Sequence, residues 1–136
     1  MADWKLWRDM ARESIRAARM MEKEYPRSSI SRYYYASFQI VTAVLLTRGD
    51  LTPPDGREAW NHENTPMMVH AHFGSYVKSR KQRNEMVSQL AHLYKMRVLA
   101  DYVSQPLSGT ASKLASKYST FLARISESIL REGEED

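Results

Sequence analysis

No cysteine occurs in the 136 residues, which excludes disulfides and thiolate metal sites. Glycine and proline are scarce, at five each, so few positions interrupt regular backbone. No apolar run approaches the roughly 20 residues needed to span a bilayer. The opening MADWKLWRDMARESIR mixes charges throughout and has no apolar centre of the kind a signal peptide carries. Strand-like alternation, internal repeats, a phosphate-cradling glycine loop and a G-x-S-x-G elbow are all missing. His62, His70, His72 and His92 make no helical i, i+4 metal pair. These absences lead to the expectation of a cytoplasmic helical protein with no membrane segment, no metal and no cofactor.

What is present is material for a core. Hydrophobic residues make up 43% and charged residues 26% of the chain, the balance of one ordinary globular domain. The densest apolar stretch is Ser28–Arg48, SSISRYYYASFQIVTAVLLTR. Ile30, Tyr34, Phe38, Val41 and Leu45 recur at steps of three and four, and Tyr33, Ser37, Ile40 and Val44 form a second row beside them. Only the stripe of Arg32, Ala36, Gln39 and Ala43 lacks large apolar groups. A helix apolar around most of its circumference must be surrounded by others. The fold class expected is therefore all-α, an antiparallel bundle of four or five helices with this one at its centre.

The other elements follow from periodicity and punctuation. A first helix is expected over 3–24, capped by Asp3, with Trp4, Trp7, Ala11, Ser14, Ala18, Met21 and Tyr25 in its stripe. Pro26 ends it. Ser28 or Ser29 would cap the central helix and Gly49 would stand just past its end. Residues 49–65 form one long loop. Thr65, as N-cap, and Pro66 open a short helix over 66–78. A long helix spans 83–104, closed by Pro106 and Gly109. The last covers 111–131, capped by Thr110, with Leu114, Tyr118, Phe121, Ile125 and Ile129 in its stripe. Residues 1–131 are read as one domain and the acidic tail 132–136 as disordered.

Charge is unevenly spread. The net charge is +4, yet the last five residues carry four acids, which leaves +8 for the body. Lys78, Arg80, Lys81 and Arg83 form the densest basic cluster, compatible with RNA or with nothing more than a solvated turn. Arg97 is the more unusual cation, because its helical position falls among Met86, Leu90, Leu93 and Ala100. An unpaired charge on an apolar face is costly. Asp101, four residues on, can pair with it, and Tyr102 is adjacent. Such a group marks either a seam with a second chain or a reaction site.

These residues carry a resemblance. Tyr33-Tyr34-Tyr35-Ala36-Ser37-Phe38 with the following apolar run is similar to the YYA helix of the HEPN superfamily. Arg97-Val98-Leu99-Ala100-Asp101-Tyr102 resembles the R-x-x-A-D-Y signature of its small single-domain branch. His62 and Phe73 correspond to that branch's mid-chain histidine and phenylalanine. The resemblance, over about residues 8–130, implies a homodimer with the arginine elements facing across the seam. It also implies a metal-independent endoribonuclease in which Arg97 holds the RNA phosphate, Asp101 orients it and Tyr102 replaces the histidine of R-x4-6-H. Many such proteins are toxins or phage-defence factors neutralised by a minimal nucleotidyltransferase. That motif histidine is absent here, since Tyr102, Val103 and Ser104 occupy its positions. A non-catalytic RNA- or nucleotide-binding dimer, or an interaction module for the nucleotidyltransferase, is the alternative. His92 from a partner subunit is a further candidate for the missing titratable group.

Overall fold

A computed structural model describes residues 3–48, 51–104, 107 and 109–135. Among the described residues five α-helices appear in chain order: α1 Trp4–Met21, α2 Pro26–Leu46, α3 Thr65–His72, α4 Arg80–Tyr102 and α5 Gly109–Glu135. Short 3-10 turns at Pro54–Gly56 and Phe73–Ser75 punctuate the connections. No strand occurs among the described residues, and no helix among them is long and apolar enough to cross a membrane. The expected all-helical bundle is the fold observed.

The central helix is central. α2 packs against α1, α3, α4 and α5, and Tyr34 and Val41 are 1% and 0% exposed. Where neighbouring helices come closest, α2 meets small groups. Ala11, Ser14 and Ala18 are the buried residues of α1. The Gln39 amide reaches Ser14 Oγ at 2.7 Å, and with its nitrogen on that side it also meets the Met10 and Tyr35 carbonyls at 3.2 Å each. That orientation gives both amide protons acceptors in a dry seam. On the α5 side, Ser37 Oγ donates to Ser119 Oγ, and both hydroxyls lie 3.0 Å from the Tyr33 carbonyl.

Several sequence expectations shift. Pro26 does not merely end α1 but occupies the first turn of α2, where its missing N–H costs nothing and its φ suits the helix. Ser28 and Ser29 are therefore inside α2 rather than capping it, and Ser29 Oγ instead donates to the Ala18 carbonyl at 2.7 Å. Tyr25, expected in the α1 stripe, is 61% exposed. Asn64 rather than Thr65 precedes α3, and Thr65 is buried within it. α4 starts at Arg80, with Ser79 Oγ accepting from Gln82 N. In α5 the buried residues are Ser112, Ala115, Ser119, Leu122, Ser126, Ile129 and Leu130, so of the expected stripe Ile129 is buried while Leu114, Tyr118, Phe121 and Ile125 lie half-buried at the flanks. Small residues let α5 approach α2, and the large ones seal the edges. α5 also continues through the acidic residues to Glu135 instead of stopping at 131, helped by a 2.7 Å ion pair from Arg8 to Glu134. The expected roles of Gly49 and Pro106 lie outside the described residues.

Candidate functional site

The C-terminal turns of α4 are held from below. Arg27 donates to the carbonyls of Ala100 and Val103 at 2.8 and 2.6 Å, and more weakly to Leu99 at 3.4 Å. A cation on the last carbonyls of a helix satisfies otherwise orphaned acceptors and suits the negative end of the macrodipole. Arg97, Asp101 and Tyr102 sit on this fixed end.

Arg97 is largely covered, at 15% side-chain exposure. Its Nη2 donates to Tyr35 Oη at 2.9 Å, and its Nε lies 3.1 Å from Asp101 Oδ2. The Nε contact is an ion pair without hydrogen-bond alignment, since Nε itself has no hydrogen-bond partner. Ser31 Oγ also approaches the same carboxylate oxygen, at 3.4 Å. Two cations stand against the Tyr35 ring: the guanidinium carbons of Arg97 and Arg32 are 5.3 and 5.2 Å from its centre. The Tyr102 ring is 5.7 Å from Arg97 but is itself 73% exposed. Desolvation pulls the Arg97 pKa down, yet Tyr35, Asp101 and Tyr102 outweigh it and hold the group above its ordinary value. Two guanidinium groups against one carboxylate leave this corner positive and suited to an anion.

His62 arrives from a different segment. Buried Trp60 anchors the loop. Asn61 builds a turn in which its Oδ1 accepts from Glu63 N at 2.8 Å and its carbonyl from Thr65 Oγ1 at 2.9 Å. The imidazole is thereby set among four aromatic rings, with centroid distances of 4.3 Å to Phe38, 5.5 Å to Tyr34, 5.9 Å to Tyr35 and 6.1 Å to Tyr94. Tyr34 Oη lies 2.6 Å from His62 Nδ1. Burial, and next the Arg97 charge, push the His62 pKa below its usual value. Burial raises the Tyr34 pKa well above the ordinary phenol range, so the phenol keeps its proton. A phenol can donate to Nδ1 or accept from it. The ring anchor thus survives whether Nε2 carries a proton or a lone pair. The imidazole also lines an open cleft of about 450 Å³ with Arg57, Trp60 and Tyr94.

The fold therefore joins Arg97 and Asp101 with three residues that the motif reading did not assign to the site, Arg32, Tyr35 and His62. Of these, His62 stood out through resemblance alone; Tyr35 was hidden in a run of three tyrosines whose orientations depend on packing. The basic cluster is not part of the site. Arg80 and Arg97 are separated by about 25 Å along α4 at the helical rise. Arg80 and Lys81 border a shallow groove with Asn84, Gln89 and Tyr118. Lys78 is exposed before the helix, and Arg83 turns back to donate to the Val77 carbonyl at 2.6 Å. His92 is exposed, its ring 5.3 Å from that of Tyr118. Among the described residues no group of histidines and carboxylates could hold a metal ion. Neither a scan against protein-family models nor a search of curated proteins finds a match for this chain.

Proposed function

We propose that this chain is a HEPN-type, metal-independent endoribonuclease whose reaction centre is Arg97 with His62. The observation that carries the reading is a shared neighbour: the Tyr35 ring centre stands 5.9 Å from that of His62 and 5.3 Å from the Arg97 guanidinium carbon, and the Arg97 charge adds to burial in lowering the His62 pKa. A group that titrates near neutral pH is what the R-x-x-A-D-Y element lacks on its own. In this reading Arg97 and Arg32 hold the non-bridging oxygens of a phosphodiester. Neutral His62 takes the 2′-hydroxyl proton on Nε2 while Tyr34 keeps the ring in place. The 2′-oxygen bonds to phosphorus, the P–O5′ bond breaks, and the departing 5′-oxygen takes a proton from water, leaving a 2′,3′-cyclic phosphate. A depressed pKa keeps the imidazole neutral near pH 7, as a base requires. Asp101 positions Arg97, and Tyr102 is an exposed contact rather than the proton carrier. The basic residues Lys78, Arg80 and Lys81 extend the RNA track.

The reading includes a homodimer across the end of α4, supported by the exposure of Leu99 and Tyr102, 50% and 73%, on its last turns. It also includes the role of a toxin or phage-defence factor in the cytoplasm, restrained by a minimal nucleotidyltransferase. One observation favours the non-catalytic alternative: Arg97 and His62 already have partners within the chain, Tyr35, Asp101 and Tyr34.

The test is degradation of end-labelled RNA in the presence of EDTA. Arg97→Ala and His62→Gln should each lower the rate by about 10²-fold or more, with helical content unchanged. Tyr102→His should leave most of the activity. Equal degradation by all four proteins would remove the nuclease reading, and the interaction module would take its place.

A further inference from the structure

Away from that site, α1, α2 and α5 enclose a cleft of about 250 Å³. It exists because three helices present small groups at one level. Ala11, Ala36 and Ala123, with Ile15 and Ile40, make its floor apolar. Its rim is cationic. Arg12, Arg19 and Arg124 all border it and all are exposed. The charge of Arg12 is taken, since its Nη2 is 2.9 Å and its Nε 3.0 Å from Glu127 Oε2. Arg19 and Arg124 have no ion pair among the described residues. The other polar lining groups are Thr120 and Glu127, whose Oε1 is buried without a hydrogen-bond partner among the described residues.

We infer that this cleft binds a small phosphate monoester carrying a single apolar ring. The volume lies below the ~300–1,000 Å³ of pockets for drug-sized ligands, so one ring fits and a larger body does not. An apolar floor without hydrogen-bonding side chains favours a plain ring over one with polar edges. Two guanidinium groups without a carboxylate partner among the described residues match a dianionic phosphate in charge and in their planar donor fork. A monocarboxylate would leave one cation uncompensated. No lining residue of this cleft belongs to the Arg97 centre, so the cleft is independent of the proposed nuclease activity.

Titration calorimetry with phenyl phosphate, benzoate and inorganic phosphate tests it. Phenyl phosphate should bind the wild type, and Arg19→Ala or Arg124→Ala should each weaken it about tenfold. Ala123→Leu, a change at a half-buried position, should fill the cleft and weaken phenyl phosphate similarly. The same change should leave the weaker binding of inorganic phosphate unchanged. Benzoate should bind at least about tenfold more weakly than phenyl phosphate. The component of phenyl phosphate binding that depends on Arg19 and Arg124 should persist in Arg97→Ala. Absence of phenyl phosphate binding at millimolar concentration, indifference to the two arginine substitutions, or benzoate binding of equal strength would each overturn the inference. Loss of the component that depends on Arg19 and Arg124 in Arg97→Ala would move the anion to the other site and overturn it as well.

Discussion

Replacing Tyr34 by phenylalanine removes one oxygen from the candidate site and leaves the packing in place. The ring is 1% exposed and keeps its neighbours Phe38 and Tyr94, at 6.3 and 5.6 Å between centroids. What disappears is the 2.6 Å contact with His62 Nδ1. A neutral hydrogen bond contributes about 0.5–1.5 kcal/mol net. The partly desolvated imidazole nitrogen is then left without its partner, which takes the cost toward about 2 kcal/mol. We expect a loss of about 1–2 kcal/mol, or a fall in Tm of about 3–8 °C for a domain of this size. Urea unfolding should give the same loss with an unchanged slope. The decisive control is the same substitution in a His62→Phe background, where the hydroxyl has no partner to lose. There Tyr34→Phe should be neutral or stabilising, giving a coupling energy of about 1 kcal/mol or more. Equal effects in the two backgrounds would refute the reasoning, because the Tyr34 hydroxyl would then owe nothing to His62.

Two further outcomes follow from the same geometry. His62 binds a proton less readily in the folded chain than in the unfolded one, so its contribution to stability is present above about pH 6.5 and is lost as pH falls below it. Unfolding free energy against pH should slope in that range, and His62→Gln should flatten the slope. Tyr34 has the opposite sign: its raised pKa means stability falls as pH rises above about 10, and Tyr34→Phe should remove that loss. Arg27→Ala should cost about 1–2 kcal/mol by freeing the last carbonyls of α4, and amide exchange should quicken around Leu99–Tyr102 before it does elsewhere.

The helices were legible because burial leaves a period in the sequence. Two apolar rows on the Tyr33–Leu45 stretch have no other solution than a surrounded helix, and every residue of those rows is buried. Pro26 was only half legible, because a proline serves as a stop signal and equally well as a first-turn residue; α1 ends at Met21 and α2 begins at Pro26 itself. Ile129 of the α5 stripe is buried as expected, but its other large residues lie at the flanks, because the close seam with α2 is made by small groups such as Ser119 against Ser37. Arg97 was legible as an anomaly, a charge on an apolar face. Its surroundings were not. The Arg97–Tyr35 bond spans 62 residues and the Tyr34–His62 bond spans 28. No local pattern encodes which of three consecutive tyrosines faces α4, or that a loop will carry a histidine onto them.

The central claim is that Arg97 and His62 belong to one site. NMR titration of the His62 imidazole, in the wild type and in Arg97→Gln, tests it most directly. The account predicts a pKa below about 6.5 in the wild type and a rise toward that value when the neighbouring charge is removed. A His62 pKa that is ordinary in the wild type, or that does not respond to loss of the Arg97 charge, would contradict it.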